Sequence, residues 1–244
     1  MSMSMSMSTT RVRAIYRKEL REYRRNGAII ATMAVIPLGI VIFPLIEVLA
    51  LPASAASALL NGDPLVILLG IPAIVPSVVA AYAVVGEREQ GTLEPVLTTP
   101  IRREELLLGK ALAALVPSLA VAYAVYAFFL ACTALFAQPA VASAVFQGPD
   151  LLAQVLFTPL LAGWSIWVGI AISTRSSDIR VAQQFGALVS LPALLVAYLI
   201  AFNVIHATLG LALGLAAALL VLDGLGWRLV SAAFDRERLI AGTR

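Results

Sequence analysis

Six runs of about 20 apolar residues, almost free of charge, dominate this sequence. They cover approximately residues 28–51, 64–86, 111–136, 151–173, 186–204 and 207–230. A helix of about 20 apolar residues crosses roughly 30 Å of hydrocarbon, so each run is long enough to span a bilayer. Backbone groups in lipid have no water to bond with, and the runs lack the polar alternation of a barrel strand. We therefore expect an all-α integral membrane protein with six transmembrane helices.

The composition argues against a water-soluble fold and against catalysis by this chain. Charged residues make up 13% of the 244 residues, whereas soluble domains carry about 25%. Cys132 and His206 are the single cysteine and the single histidine, so an internal disulfide, a cysteine- or histidine-based metal site and a Ser-His triad all lack their parts. We expect no catalytic residues, no bound metal and no nucleic-acid partner.

The positions of Lys and Arg predict the orientation in the membrane. Of the seven segments outside the spans, the first, third, fifth and seventh hold seven, four, two and four of the 17 basic residues, and the other three hold none. Cytoplasmic loops carry the excess of Lys and Arg in membrane proteins. Both termini are therefore expected in the cytoplasm of a multi-pass cell-membrane protein.

This pattern divides the chain into four parts. Residues 1–9 are a low-complexity, tag-like start, residues 10–26 an amphipathic interfacial helix, residues 27–231 the transmembrane domain, and residues 232–244 a cytoplasmic tail. The predicted outer connections, 52–63, 137–150 and 204–206, are too short for an outer domain. Function should therefore lie within the membrane or beneath it.

The interfacial helix combines an apolar stripe with basic residues around the rest of its circumference. Such a helix lies along the headgroup region, with its apolar stripe in the acyl boundary and its basic face beside anionic lipids. A solvated basic arm that only sets the topology is the alternative. The residues expected to anchor the helix are Arg13, Ile15, Tyr16, Arg17, Lys18 and Leu20.

The segment between the second and third spans, residues 87–110, is the most informative one. Gly91 suits a left-handed helix stop after an acidic run. Thr99 and Pro100 suit an N-cap and the first position of a new helix, with Glu104 and Glu105 in its first turn, where the helix dipole favours acids. We expect a short charged helical hairpin, although a solvated turn is the simpler alternative.

This segment resembles that of the ATP-binding cassette (ABC) type-2 permeases, in which an acidic run, a Gly-Thr-Leu-Glu step, a Pro and a closing Gly-Lys recur. The matching residues are Glu87, Glu89, Gly91, Thr92, Leu93, Glu94, Pro100, Gly109 and Lys110. The resemblance implies an ABC exporter subunit whose segment 87–110 couples to a separate ATPase. It also implies two ATPase copies, which hydrolyse ATP with Mg, and a homodimer or a heterodimer with a related permease.

Three weaker features complete the prediction. A second, smaller ATPase contact is implied at Arg175, Asp178 and Arg180, although such a loop is usually only solvated. Glu47 and Asp223 lie near the ends of their predicted spans and are candidates for the transport pathway, because a charge at mid-depth costs about 2.5 to 3.5 kcal/mol. Snorkelling, or pairing of Asp223 with Arg228, is the alternative. Gly210 and Gly214 form a small-residue pair suited to close helix packing.

The chain lacks a phosphate-binding loop of its own. Gly109 and Lys110 have no glycine at the upstream spacing, and Ala111 replaces the hydroxyl residue of that motif. No cofactor is therefore expected on this chain. An ATP-independent secondary carrier and a non-transporting membrane anchor remain alternative functions; against the carrier, no internal repeat is seen and the spans lack a charge at mid-depth.

Overall fold

The computed structural model describes residues 7–60, 64–91, 101–201, 204 and 208–233, and in this part of the chain it is helical, without strands. Six helices are long and apolar enough to cross a membrane, which confirms the predicted fold class. The helices are α1 (Thr9–Tyr23), α2 (Gly27–Ala50), α3 (Pro64–Glu89), α4 (Arg103–Phe136), α5 (Pro139–Val145), α6 (Gly148–Arg175), α7 (Ile179–Ala201) and α8 (Leu209–Ala233).

The short helix α1 precedes the six spanning helices and turns into the first of them. Asn26 forms the N-cap of α2, and its side-chain oxygen accepts hydrogen bonds from the backbone N–H groups of Ala28 and Ile29 at 3.0 and 3.4 Å. An N-cap of this kind satisfies N–H groups that the helix itself leaves unpaired. The turn between α1 and α2 thus brings α1 to one end of the bundle, which we call the α1 end.

Helix α3 lies at the centre of the bundle and is built from three segments, Pro64–Leu68, Gly70–Ala80 and Tyr82–Glu89. Ser173 of α6 fills the break at Ala81. Its hydroxyl donates to the Ala81 carbonyl at 2.6 Å and accepts from the N–H groups of Val84 and Val85 at 3.1 and 3.0 Å. A broken helix is tolerated at membrane depth when a neighbour supplies the missing bonds in this way.

Small residues on α6 let it approach α3 closely. Ser165 donates to the Ala73 carbonyl at 2.6 Å, and a Cβ on Gly169 would lie 2.5 Å from the Ser77 carbonyl oxygen. With Ser173, these residues recur every fourth position on one face of α6. The predicted pair Gly210 and Gly214 makes no such contact, because nothing within the described residues lies within 4 Å of a Cβ at either position.

At the end opposite α1, a 3-10 helix (Ala53–Leu60) packs against α5. Both elements are short, in agreement with the predicted short connections. Helix α8 lies at the edge of the chain and contacts mainly α6. Most of its large apolar side chains are exposed, as expected for a surface that faces lipid or another protein chain.

Candidate functional site

Helix α1 packs along the first half of α4 at the α1 end. It buries one face, formed by Val12, Ile15, Glu19 and Tyr23. Gly109 of α4 makes this contact possible, because a Cβ at that position would lie 2.6 Å from Ile15 Cγ2, far inside normal contact distance. A glycine is thus required where the two helices meet.

Lys110, the next residue on α4, is fully buried and has a polar contact on three sides. Its Nζ lies 2.9 Å from Glu19 Oε1 of α1, 2.9 Å from Glu87 Oε2 of α3, and 2.7 Å from the Ala83 carbonyl oxygen. The ammonium donates hydrogen bonds to Glu19 and to the Ala83 carbonyl, and its contact with Glu87 is an ion pair. Lys110 therefore ties α1, α3 and α4 together at one point.

Lys18 adds a second cation to the same cluster from the surface. Its ammonium lies 3.3 Å from Glu19 Oε1 and 3.1 Å from Glu22 Oε1, and it also donates to Glu87 Oε1. Lys18 and Glu22 are half-buried, and Glu19 and Glu87 are buried. We call these four residues and Lys110 the ion cluster.

The ion cluster shifts the pKa values of its members on α1. Burial alone would raise the pKa of Glu19, but the ammonium groups of Lys110 and Lys18 hold it below its ordinary value. Burial alone would lower the pKa of Lys18, and Glu19, Glu87 and Glu22 more than reverse that effect, so it lies well above the ordinary value. Both groups stay charged near neutral pH, since each charge is paired in place.

Three carboxylates of the ion cluster also lie close enough to serve as metal ligands. Oxygens of Glu19, Glu22 and Glu87 lie within 4.8 Å of one another. Lys18 and Lys110 already place two ammonium groups against these oxygens. The arrangement is therefore explained as an ion-pair network between helices.

A further acid fastens the start of α1 to the start of α4. Glu105 is buried and accepts from the Ser8 backbone N–H at 2.7 Å and from the Arg102 backbone N–H at 3.1 Å, and it pairs with Arg11 at 3.4 Å. This acceptor for the Arg102 N–H helps to define where α4 begins. The residue before α1, Ser8, is thereby held to the first turn of α4.

Helix α4, which begins inside segment 87–110, starts later than predicted. It starts at Arg103, with Arg102 at the N-cap and residue 101 outside the helix, whereas the sequence suggested Pro100 as the first position. The backbone N–H of Arg102 is bonded by Glu105, and this local bond sets the start. Glu104 and Glu105 do lie in the first turn, as predicted.

The end of α3 is bonded to the start of α7. Glu89 Oε1 accepts from the Ile179 backbone N–H at 3.2 Å, and Arg88 Nη1 donates to the Ser176 carbonyl at 2.8 Å. Asp178 caps α7 by accepting from the N–H groups of Arg180 and Val181 at 2.7 and 3.2 Å. The end of α3 is therefore in direct contact with the short connection between α6 and α7.

A family model described as ABC-2 family transporter protein matches residues 13–233 of the chain, which include all six spanning helices, the ion cluster and both loops. The chain belongs to the ABC-2 transporter family. No curated protein matches the sequence. The family confirms the resemblance seen in the sequence and makes the chain a multi-pass membrane protein of a transporter.

In this ABC-2 protein, the structure describes part of the predicted coupling segment. Glu87 and Lys110 lie in the ion cluster, Gly109 lies under Ile15, and Glu89 bonds α7. Gly91 has a φ of +67°, the left-handed conformation expected for a helix stop. The remaining predicted positions, Thr92, Leu93, Glu94 and Pro100, lie outside the described residues.

The predicted lipid anchor on α1 differs from the structure in one respect. Ile15 is buried against α4, and Tyr16 and Leu20 are half-buried, so protein rather than lipid covers much of the apolar stripe. Lys18 belongs to the ion cluster. Arg13 and Arg17 are exposed and free to meet headgroups. The sequence pattern identified the apolar face correctly but could not distinguish lipid from a neighbouring helix.

The two acids predicted near span ends occupy different environments. Glu47 lies three residues before the end of α2, close to the helix end as predicted, and its side chain is exposed.

Asp223 instead faces the middle of α6, where its oxygens lie 2.9 and 3.0 Å from the position of a Cβ on Gly163. Gly163 is 15 residues after the first residue of α6, Gly148, and 12 before the last, Arg175. Asp223 therefore lies near mid-depth, and no ion pair joins it to Arg228 in the described part of the chain.

Sequence reasoning missed the residues that pair with the recognised ones. Glu19 looked like one polar residue of a basic helix, although its spacing of four from Ile15 and from Tyr23 places it on the apolar face. An acid on the apolar face of a helix indicates that a buried cation pairs with it. The sequence alone does not show that this cation is Lys110.

Proposed function

We propose that this chain is the membrane subunit of an ABC exporter, driven by a separate ATPase that docks on the segment 87–110. In this proposal the α1 end and both termini lie in the cytoplasm, which the distribution of Lys and Arg supports. The chain carries no ATP site, so ATP and Mg are bound and consumed by the partner. Membership of the ABC-2 family supports the general assignment.

The ion cluster is the observation that carries the proposal. Glu87 and Lys110 stand on the two sides of the segment that is proposed to meet the ATPase, and their side chains are 2.9 Å apart. Glu19 binds the same ammonium from α1. A push on the segment would therefore move α1, α3 and α4 together, because buried ion pairs and packed helices resist independent motion.

The second loop extends the proposed docking surface. Glu89 bonds the start of α7 directly, and Arg175, Asp178 and Arg180 are exposed beside it. These charges are available to select a partner of complementary charge. We propose that they form the smaller of two contacts with the same ATPase.

The proposed assembly contains two permease chains and two ATPases. Six helices enclose little space by themselves, and a two-fold axis along the membrane normal would create a pathway between two copies or between this chain and a related permease. Exposed Arg13 and Arg17 on α1 would anchor the assembly to anionic headgroups. In a bacterium, this places the complex in the cytoplasmic membrane.

Co-purification with ABC ATPases from the same genome tests the docking proposal. The tagged wild-type chain should capture one of them, and Glu89→Ala and Glu94→Ala should weaken the capture. Asp150→Ala, a matched loss of one acid at the opposite end, should leave it intact. Capture that is equal in all four proteins would overturn the assignment of segment 87–110.

Cysteine labelling tests the orientation separately. In a Cys132→Ala background, a cysteine introduced at Glu94 should react with a membrane-impermeant maleimide only after the cells are opened. Labelling in intact cells would place the segment outside and would exclude an ATPase contact there.

One observation favours a second candidate, an ion-coupled carrier without an ATPase. Asp223 is a carboxylate near mid-depth, the type of group that such carriers use. Transport by the purified chain alone in vesicles would support this candidate. Transport that requires the ATPase and ATP would exclude it.

A further inference from the structure

The carboxylate of Asp223 on α8 packs against Gly163 of α6. Its Oδ1 and Oδ2 lie 2.9 and 3.0 Å from where Gly163 would carry a Cβ, so the glycine lets the carboxylate lie directly against α6. Asp223 is ten residues before Ala233, the last residue of α8, which is about 15 Å along the axis at 1.5 Å per residue. The acid therefore stands deep within the span.

The carboxylate at this depth is incompletely paired. Its Oδ1 is fully buried and has no hydrogen-bond partner among the described residues. Arg228 is exposed on the same helix and forms no ion pair with it within the described part of the chain. An unpaired carboxylate in a medium of low dielectric constant is unfavourable, so a cation that reaches it would be bound strongly.

Two indole rings lie one turn from the carboxylate toward the α1 end. Trp167 is four residues after Gly163 on α6, and Trp227 is four residues after Asp223 on α8. Residues four apart lie on the same helix face, so the two tryptophans lie one turn further along the contact between α6 and α8. The ring centroids are 5.5 Å apart with an interplanar angle of 72°. Gly226 allows this contact, since its Cβ would lie 2.8 Å from Trp167 Cβ. Both tryptophans are half-buried and so remain partly accessible.

The donor set decides which kind of cation fits. Calcium and magnesium require several oxygen ligands, and among the described residues no group of three or more potential metal ligands includes Asp223. The faces of indole rings attract cations such as organic ammonium and phosphonium ions. The attraction is strongest where water is excluded. A cation with an apolar body can also reach this depth through the lipid.

We propose that Asp223, Trp167 and Trp227 form a binding site for a lipophilic monovalent organic cation within the membrane. The carboxylate supplies the counter-charge and the indoles contact the apolar body. Binding itself requires only this chain, and the further step, that the cation is the transported cargo, rests on the proposed transport function.

Binding of radiolabelled tetraphenylphosphonium to the purified chain in nanodiscs of neutral lipid tests the site. The wild type should bind saturably, Asp223→Asn should bind about tenfold or more weakly, and Trp227→Ala should bind severalfold more weakly. Asp150→Asn, the same chemical change at the opposite end, should bind like the wild type. Excess unlabelled tetraphenylphosphonium should displace the ligand, whereas neutral tetraphenylsilane should not.

Two results would overturn the inference. Wild-type affinity in a monodisperse Asp223→Asn protein would show that the carboxylate is not the counter-charge. Equal competition by tetraphenylsilane would show that only apolar surface is being bound. ATPase capture measured on the same preparations keeps the two proposals apart, because loss of capture with intact cation binding contradicts the docking proposal alone.

Discussion

Lys110 Nζ lies 2.9 Å from Glu19 Oε1, in an ion pair that joins the third spanning helix to the helix preceding the first. Both side chains are buried at the α1 end, where water is largely excluded. Burying such a pair costs desolvation, which only good geometry and further bonds offset. Lys110 meets that condition through Glu87 and the Ala83 carbonyl, so the pair fixes the arrangement of three helices.

Replacing Lys110 with Met should strongly destabilise the chain. The substitution keeps the apolar stem but removes the buried ammonium from Glu19 and Glu87 and leaves them only the half-buried Lys18, and removal of one partner from a buried pair costs about 3 to 5 kcal/mol. The measurement is thermal unfolding of the detergent-purified protein. Arg103→Met, at an exposed position on the same helix, should change the midpoint little.

The double variant Lys110→Met with Glu87→Gln tests whether charge is the cause. In that background two buried acids share the one ammonium of Lys18, so neutralising Glu87 should recover part of the lost stability. A double variant less stable than Lys110→Met alone would contradict the ion-pair explanation.

Replacing Gly109 with Ala should separate α1 from α4. The new Cβ would lie 2.6 Å from Ile15 Cγ2, and overpacking of this kind costs about 1 to 3 kcal/mol. Ile15→Ala in the same chain should relieve the collision, so the two substitutions together should cost less than the sum of each alone. Gly214→Ala adds the same methyl group where nothing lies within 4 Å and should be nearly neutral.

The six spans were predictable because the physics that makes them is local. Each run of apolar residues must become a helix in lipid whatever its neighbours are, and the observed helices follow the predicted runs within a few residues at most ends. Gly91 was predictable for the same reason, since a left-handed φ is a property of one residue. The start of α4 was not, because the bond from the Arg102 N–H to Glu105 competes with the Thr-Pro signal.

Contacts between distant segments were not predictable from one sequence. Gly210 and Gly214 carry the familiar small-residue spacing but face open space, whereas Ser165, Gly169 and Ser173 make the close contact with α3. Asp223 was placed near a span end because hydropathy does not show that Gly163 stands opposite. Which faces meet is decided by tertiary packing, and no local pattern contains that information.

Replacing Ser173 with Ala should loosen the break in α3. The hydroxyl donates to the Ala81 carbonyl and accepts from the N–H groups of Val84 and Val85. Each buried polar group left without a hydrogen bond costs about 1 to 3 kcal/mol. Ser143→Ala removes an exposed hydroxyl that bonds only its own helix and should have little effect. Equal unfolding midpoints for the two variants would show that water or a backbone shift replaces the Ser173 hydroxyl.

Acid should destabilise the chain partly through Glu19. Burial would raise its pKa, but Lys110 and Lys18 lower it below the ordinary value of about 4.3, so the folded state binds the proton less readily than the unfolded state. The stabilisation is therefore complete above about pH 4.3 and is lost as the pH falls through the lower pKa of the folded state. Unfolding midpoints measured from neutral pH down through this window should fall more steeply for the wild type than for Glu19→Gln.

Glu104→Gln, which removes an exposed acid from the first turn of α4, should keep the wild-type slope. Parallel profiles for the wild type and Glu19→Gln would mean that the ion cluster does not contribute to stability through this carboxylate.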